Sequence, residues 1–97
     1  MISNQIIQNT IEGLKTITRI DISVIDPDGK ILATTEEGRL EEYNFAVPDF
    51  VRSQAESQLV LGYHFFKVYD DHNVEYVVSA KGETDDVYKI GKIASFQ

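Results

Sequence analysis

The sequence has no cysteine. That removes disulfides, thiolate metal sites, thiol nucleophiles and any photochemistry built on a cysteine adduct to a flavin. Basic residues are scarce, nine Lys and Arg against sixteen Asp and Glu, and the net charge of -7 repels a phosphate backbone. Direct contact with nucleic acid is therefore not expected of this chain. Long apolar runs are missing as well, which excludes a membrane-spanning helix. Met1 to Gln8 has neither the basic head nor the apolar block of a signal peptide, so a cytoplasmic location is the expectation. There are only two prolines, Pro27 and Pro48, and each marks a turn or a break.

What is present suits one small domain. Hydrophobic residues make up 42 % of 97 positions, and a chain of this size buries roughly 60 to 65 % of its unfolded surface, enough for one core. The most legible stretch is Ile20 to Thr35, IDISVIDPDGKILATT. Ile20, Ile22 and Val24 alternate with polar neighbours at the period of a half-buried strand, and a second apolar run follows at Ile31. In the DPDG between them, Asp26 can accept from backbone amides, Pro27 pre-sets the first turn torsion, and Gly29 can take a left-handed conformation. A hairpin is predicted here.

Before it, Ser3 or Asn4 can cap a helix over about Asn4 to Thr16, with Ile2, Ile6, Ile7, Thr10, Ile11, Leu14 and Ile17 as its apolar face and Gln5, Gln8, Glu12 and Lys15 in water. After it, Leu40, Tyr43, Val47, Phe50 and Val51 recur at helical spacing. Pro48 interrupts that pattern, which predicts two short helical turns hinged near Val47, the most mobile part of the chain. Strands follow at Leu59–Leu61, Tyr63–Tyr69 and Val74–Lys81, separated by turns at Gly62 and at Asp70–Asn73. Thr84 can cap a last helix with Asp85 and Asp86 in its first turn and Val87, Ile90, Ile93 and Ala94 on one face. That helix reaches Gln97 with no stop signal, the pattern of a piece of a longer protein or of a frayed end.

Two apparent motifs reduce to turns. DPDGKILATTEE lacks the acidic spacing of a calcium loop, and Asp70, Asp71 and His72 occupy a short connection between strands. Ser53, Ser57 and Ser79 have no identifiable base, so no enzyme is predicted and no cofactor or metal is implied.

The order helix, two strands, broken helix, three strands, helix is that of PAS-like sensor domains, an α+β class with a five-stranded antiparallel sheet. IIQNTIEGLKTITRIDISVIDPDGKILATT resembles the start of the amino-terminal sensor of carbohydrate diacid regulators, and FFKVYDDHNVEYVVSAKGETDDVYKIGKIASFQ is similar to a clostridial branch of them. The resemblance implies a ligand-sensing domain of a bacterial transcription regulator, recognising a sugar diacid or other small carboxylate. It also implies a DNA-binding output module beyond residue 97. EEGRLEEYNFAVPDF departs from the family pattern, with Arg39 alone in place of its Arg- and His-containing segment.

A dicarboxylate needs charge-assisted donors, best a bidentate Arg. Candidates facing a pocket between broken helix and sheet are Arg39, Arg52 and Lys67, with Lys81 beside them, and Tyr43, Phe50, His64, Phe65 and Tyr76 as further lining. For each aromatic the competing reading is core, and for each charge a solvated surface. Phe65 and Phe66, adjacent on one strand, send a ring to each sheet face. The second face then needs cover from the first helix, the last helix or a second subunit, which makes a homodimer through the terminal helices a natural hypothesis. The alternative function is a dimerisation module whose small cavity stays empty.

Overall fold

Ser3 accepts a hydrogen bond from the Ile6 amide at 3.2 Å and so begins the first helix, α1 (Asn4–Thr18), two residues longer than its spacing predicts. Arg19 ends it in the left-handed conformation, φ 63°, with its amide donating to the Lys15 carbonyl at 2.8 Å. The computed structural model describes residues 3–96. Ile2 of the expected apolar face lies outside the described residues, as does Gln97; the last helix does not run on as its pattern predicts but ends at Ala94, with Ser95 as its C-cap.

The hairpin forms as predicted. β1 (Ile22–Ile25) and β2 (Ile31–Thr34) are joined by DPDG, where Asp26 Oδ1 accepts from the amides of Asp28 and Lys30 at 2.9 and 3.0 Å. Gly29 sits at φ +102°. After α2 (Val47–Arg52) come β3 (Ser57–Val60), β4 (Tyr63–Asp70), β5 (Asn73–Lys81) and α3 (Asp85–Ala94). The five strands make one antiparallel sheet in the order β2-β1-β5-β4-β3. The α+β class and the element order are those the sequence predicts.

Alternation along β4 decides the layers. Phe65 and Phe66 are both fully buried, on opposite faces, and burying each ring contributes about 1.5–3 kcal/mol, so neither face can stay wet. On one face Phe66, Ile22, Val24 and Val78 pack beneath α1 and α3, through Ile11 and Ala94. On the other, Phe65, Ile25, Ile31 and Val77 pack beneath α2, through Val47 and Phe50.

Three details differ from what the sequence predicts. Ile6, Ile17 and Ile93 are exposed, so the apolar faces of α1 and α3 are narrower than their spacing suggests. Gln8 is not a water-facing residue: its Nε2 donates to the Thr34 carbonyl at 2.8 Å and its Oε1 accepts from the Thr34 amide at 3.0 Å. The first half of the broken helix is not helical. Leu40 and Tyr43 are exposed, leaving no apolar face to bury there. The chain instead runs beside β2, with Ile31 donating to Glu42 at 2.8 Å, Glu41 to Ile31 at 3.1 Å and Asn44 to Gly29 at 2.6 Å. These bonds give the outward backbone groups of the β2 edge protein partners in place of water, and here they win over the helical spacing. Far from hanging loose, the segment is held by backbone bonds.

Asp21 fastens the end of α1 to the sheet, accepting from Lys15 Nζ at 2.5 Å and Thr35 Oγ1 at 2.7 Å. Burial pushes its carboxyl up, but the Lys15 and Thr35 hydrogen bonds and the charges of Lys15 and Lys81 outweigh this and hold it below the ordinary 3.8. A group depressed in the folded state stabilises above its unfolded value and loses that contribution as pH falls through the folded one. Urea titrations of Asp21→Asn should show about 1 kcal/mol less stability at pH 7 and a shallower loss below pH ~4 than the parent. An unchanged acid limb would reject this account.

Candidate functional site

The face beneath α2 is where the sequence places a ligand, and there the interior is filled. Phe50 meets Phe65 edge-on with centroids 5.6 Å apart. Lys67 lies over the Phe50 ring at 5.2 Å and donates to the Ser53 carbonyl at 2.6 Å. Phe50 and Phe65 are thus core, and Lys67 closes the C-terminal end of α2. A shallow cleft of about 240 Å³ remains outside them, lined by Arg39, Tyr43, Phe45, Leu61, Tyr63 and Phe65 among others.

A polar cluster lies beside this cleft. Glu36 is largely buried and accepts from the Tyr63 hydroxyl at 3.0 Å on both carboxylate oxygens. Arg39 Nη1 is 3.6 Å and Lys81 Nζ 3.5 Å from the same carboxylate. Burial pushes the Tyr63 hydroxyl up, and the Glu36 hydrogen bond and charge push it further. It therefore remains a protonated donor at neutral pH and well above it. Arg39 also donates from Nε to Glu42 at 3.0 Å. An incoming carboxylate has to displace carboxylates already in place.

The remaining predicted residues are elsewhere. Arg52 is exposed and pairs with Asp49 one turn away. His64 lies on the opposite sheet face, its Nδ1 2.9 Å from the Gly82 carbonyl and its ring edge-on to Tyr88 of α3 at 5.7 Å, a structural setting. Tyr76 is also on that face. The structure therefore brings Arg39, Tyr43 and Phe65 together, sets Phe50 and Lys67 behind them, and separates Arg52, His64 and Tyr76 from the group.

Tyr76 belongs to the larger concavity. Between α1 and α3 the sheet is left partly uncovered, giving a groove of about 500 Å³. Ile7, Thr10 and Leu14 of α1 form one wall, Ala94 of α3 contributes opposite, and Val68 and Tyr76 lie along the strands between. The carboxylates on its border are Asp70 and Glu75, both near the β4–β5 turn. Burial, then the Glu75 charge, raises the Tyr76 hydroxyl, which is accordingly a neutral donor.

Sequence patterns do not reveal Glu36 or the α1 wall as site elements. Glu36 stands in a polar break, and its partner Tyr63 is 27 positions away, so no local pattern links them. The α1 positions have the spacing of core, because spacing shows which residues share a face but not how far that face is covered.

Apolar walls with a few polar groups are the common make-up of small-molecule sites. Among the described residues no three acidic or histidine side chains converge as a metal set, and no helix is long and apolar enough to cross a membrane. No protein-family model, curated protein or solved structure matches the chain.

Proposed function

We propose that this chain is a ligand-sensing regulatory domain, as in the transcription regulators its sequence resembles, with its small-molecule site in the groove between α1 and α3. The observation that carries the reading is the groove itself, about 500 Å³, apolar along its walls and bordered by Asp70 and Glu75. That volume and lining are those of sites for compact organic ligands. The charges set the ligand class. Two carboxylates repel a diacid and favour an apolar body carrying an amine or another hydrogen-bond donor. A ligand touching both walls would bias α1 against α3, and α3 would pass that bias to an output module.

The sugar-diacid reading retains one foothold, Arg39, but that guanidinium is already engaged by Glu36 and Glu42. Thermal unfolding with two ligand sets decides between the sites. At a hundred times its dissociation constant a ligand adds about 2.7 kcal/mol, a shift of roughly 10 °C or more for a domain of this size. Apolar amines should raise Tm, and Asp70→Asn with Glu75→Gln should reduce the effect. Aldarates should leave Tm unchanged. A shift with aldarates that disappears in Arg39→Gln, or no shift with either set, would overturn the assignment.

A further inference from the structure

We infer that two copies of this chain pair edge to edge through β3, giving one continuous ten-stranded antiparallel sheet with a two-fold axis through Gln58. The two ends of the sheet are finished differently. At β2, the outward backbone groups of Ile31 bond to Glu41 and Glu42, and those of Thr34 bond to the Gln8 amide. This edge is closed.

At β3 the edge is open. Leu61 and Gly62, at φ 50° and 87°, form a two-residue turn that makes Val60 and Tyr63 the hydrogen-bonded closing pair. Alternation then turns Gln58 and Glu56 toward β4, and the Glu56 carbonyl does accept from Lys67 at 3.1 Å. Ser57 and Leu59 therefore aim their backbone groups outward. Among the described residues neither has a backbone bond outside its strand pairing.

The sequence of this edge carries no charged or proline guard. Monomeric proteins blunt exposed edges with short strands, Lys, Pro, bulges or a covering segment; β3 is short, at four residues, but Ser57 to Tyr63, SQLVLGY, contains no charge and no proline. Leu61 is 90 % exposed in a left-handed conformation, where Asn or Gly would cost less. Phe45, 86 % exposed, borders the same cleft. An apolar side chain held against both its solvation and its backbone preference fits a contact made in an assembly.

A second copy is the occupant because its charge and geometry both fit. In a chain of net charge -7, copies repel overall, and an uncharged stretch such as this one keeps like charges from meeting at the seam. Pairing β3 onto β2 would extend into a filament, but β2 is closed, so the open edge meets its own copy and association stops at two. An axis through Gln58 sets Ser57 opposite the partner's Leu59 and completes their outward hydrogen bonds. Gln58 then faces the partner's Gln58, an uncharged pair.

Equilibrium sedimentation tests this directly. The parent chain should be a dimer. Gln58→Glu and Gln58→Lys should each be monomers with unchanged circular dichroism, since like charges would face across the axis, and mixing them should restore the dimer. Hydrogen exchange should show the Ser57 and Leu59 amides protected in the dimer and exposed in either variant. A monomeric parent at its highest soluble concentration would overturn the pairing. So would a dimer indifferent to both substitutions, or one whose Ser57 and Leu59 amides exchange freely, as pairing through the terminal helices would give. The ligand groove is built from other elements, so binding and pairing succeed or fail separately.

Discussion

Gly29→Ala should destabilise the domain by about 3 kcal/mol, lowering Tm by more than ~10 °C. Two costs add at this position. Gly29 occupies φ +102°, outside even the left-handed region that L residues tolerate. A Cβ there would also lie 2.5 Å from the Asn44 carbonyl oxygen, a backbone atom that cannot rotate away. Moving Asn44 would break its 2.6 Å bond to the Gly29 carbonyl and shift the lead-in to α2, where Val47 and Phe50 close one face of the core. Gly38→Ala separates the two costs, because Gly38 is at φ +78° and a Cβ there would meet nothing within 4 Å. It should lose only about 1 kcal/mol. Urea denaturation of both variants gives the comparison, and equal losses would mean that the Asn44 contact does not matter.

That glycine also marks how far the sequence can be read. DPDG predicts the turn because its chemistry is local: Asp26 accepts from amides two and four residues on, and Gly29 supplies the torsion. Helix caps at Ser3 and Thr84 are local in the same sense and form as predicted. The contact of Gly29 with Asn44 spans two segments that meet only in the fold and leaves no local signature. For the same reason Leu40 and Tyr43 suggest a helix, while the bonds to β2 make that segment a succession of turns laid against the sheet edge. The candidate site is less legible still. Strand alternation correctly puts Phe65 and Phe66 on opposite faces. It does not say which face holds the pocket, and His64 and Tyr76, predicted to line one cavity with Arg39, are carried by β4 and β5 on the other side. Coverage of a face is decided by where helices land on the sheet, and no spacing within α1 reports the gap that α3 leaves beside it.

The largest single loss should come from Phe66→Ala, about 3–5 kcal/mol, because the fully buried ring leaves a cavity beneath α3. The helix approaches this ring very closely. A Cβ on Gly91 would overlap Phe66 Cε1 and lie 3.0 and 3.1 Å from Cζ and Cδ1, while Tyr88 crowds the same ring from 5.3 Å. In an open helix interior Gly→Ala gains about 1 kcal/mol, as Gly13→Ala should in α1, where nothing lies within 4 Å. At Gly91 the overlap should outweigh that gain and cost a net of about 1–3 kcal/mol. The two effects share one contact, so they should not add. With the ring removed, the added methyl enters the cavity, and Gly91→Ala should become neutral or stabilising in the Phe66→Ala background. A double-mutant cycle by urea unfolding measures the coupling, for which about 2 kcal/mol is expected. Simple additivity would show that α3 can shift to relieve the overlap, and that its seat on β4 is looser than the fit of Gly91 to Phe66 implies.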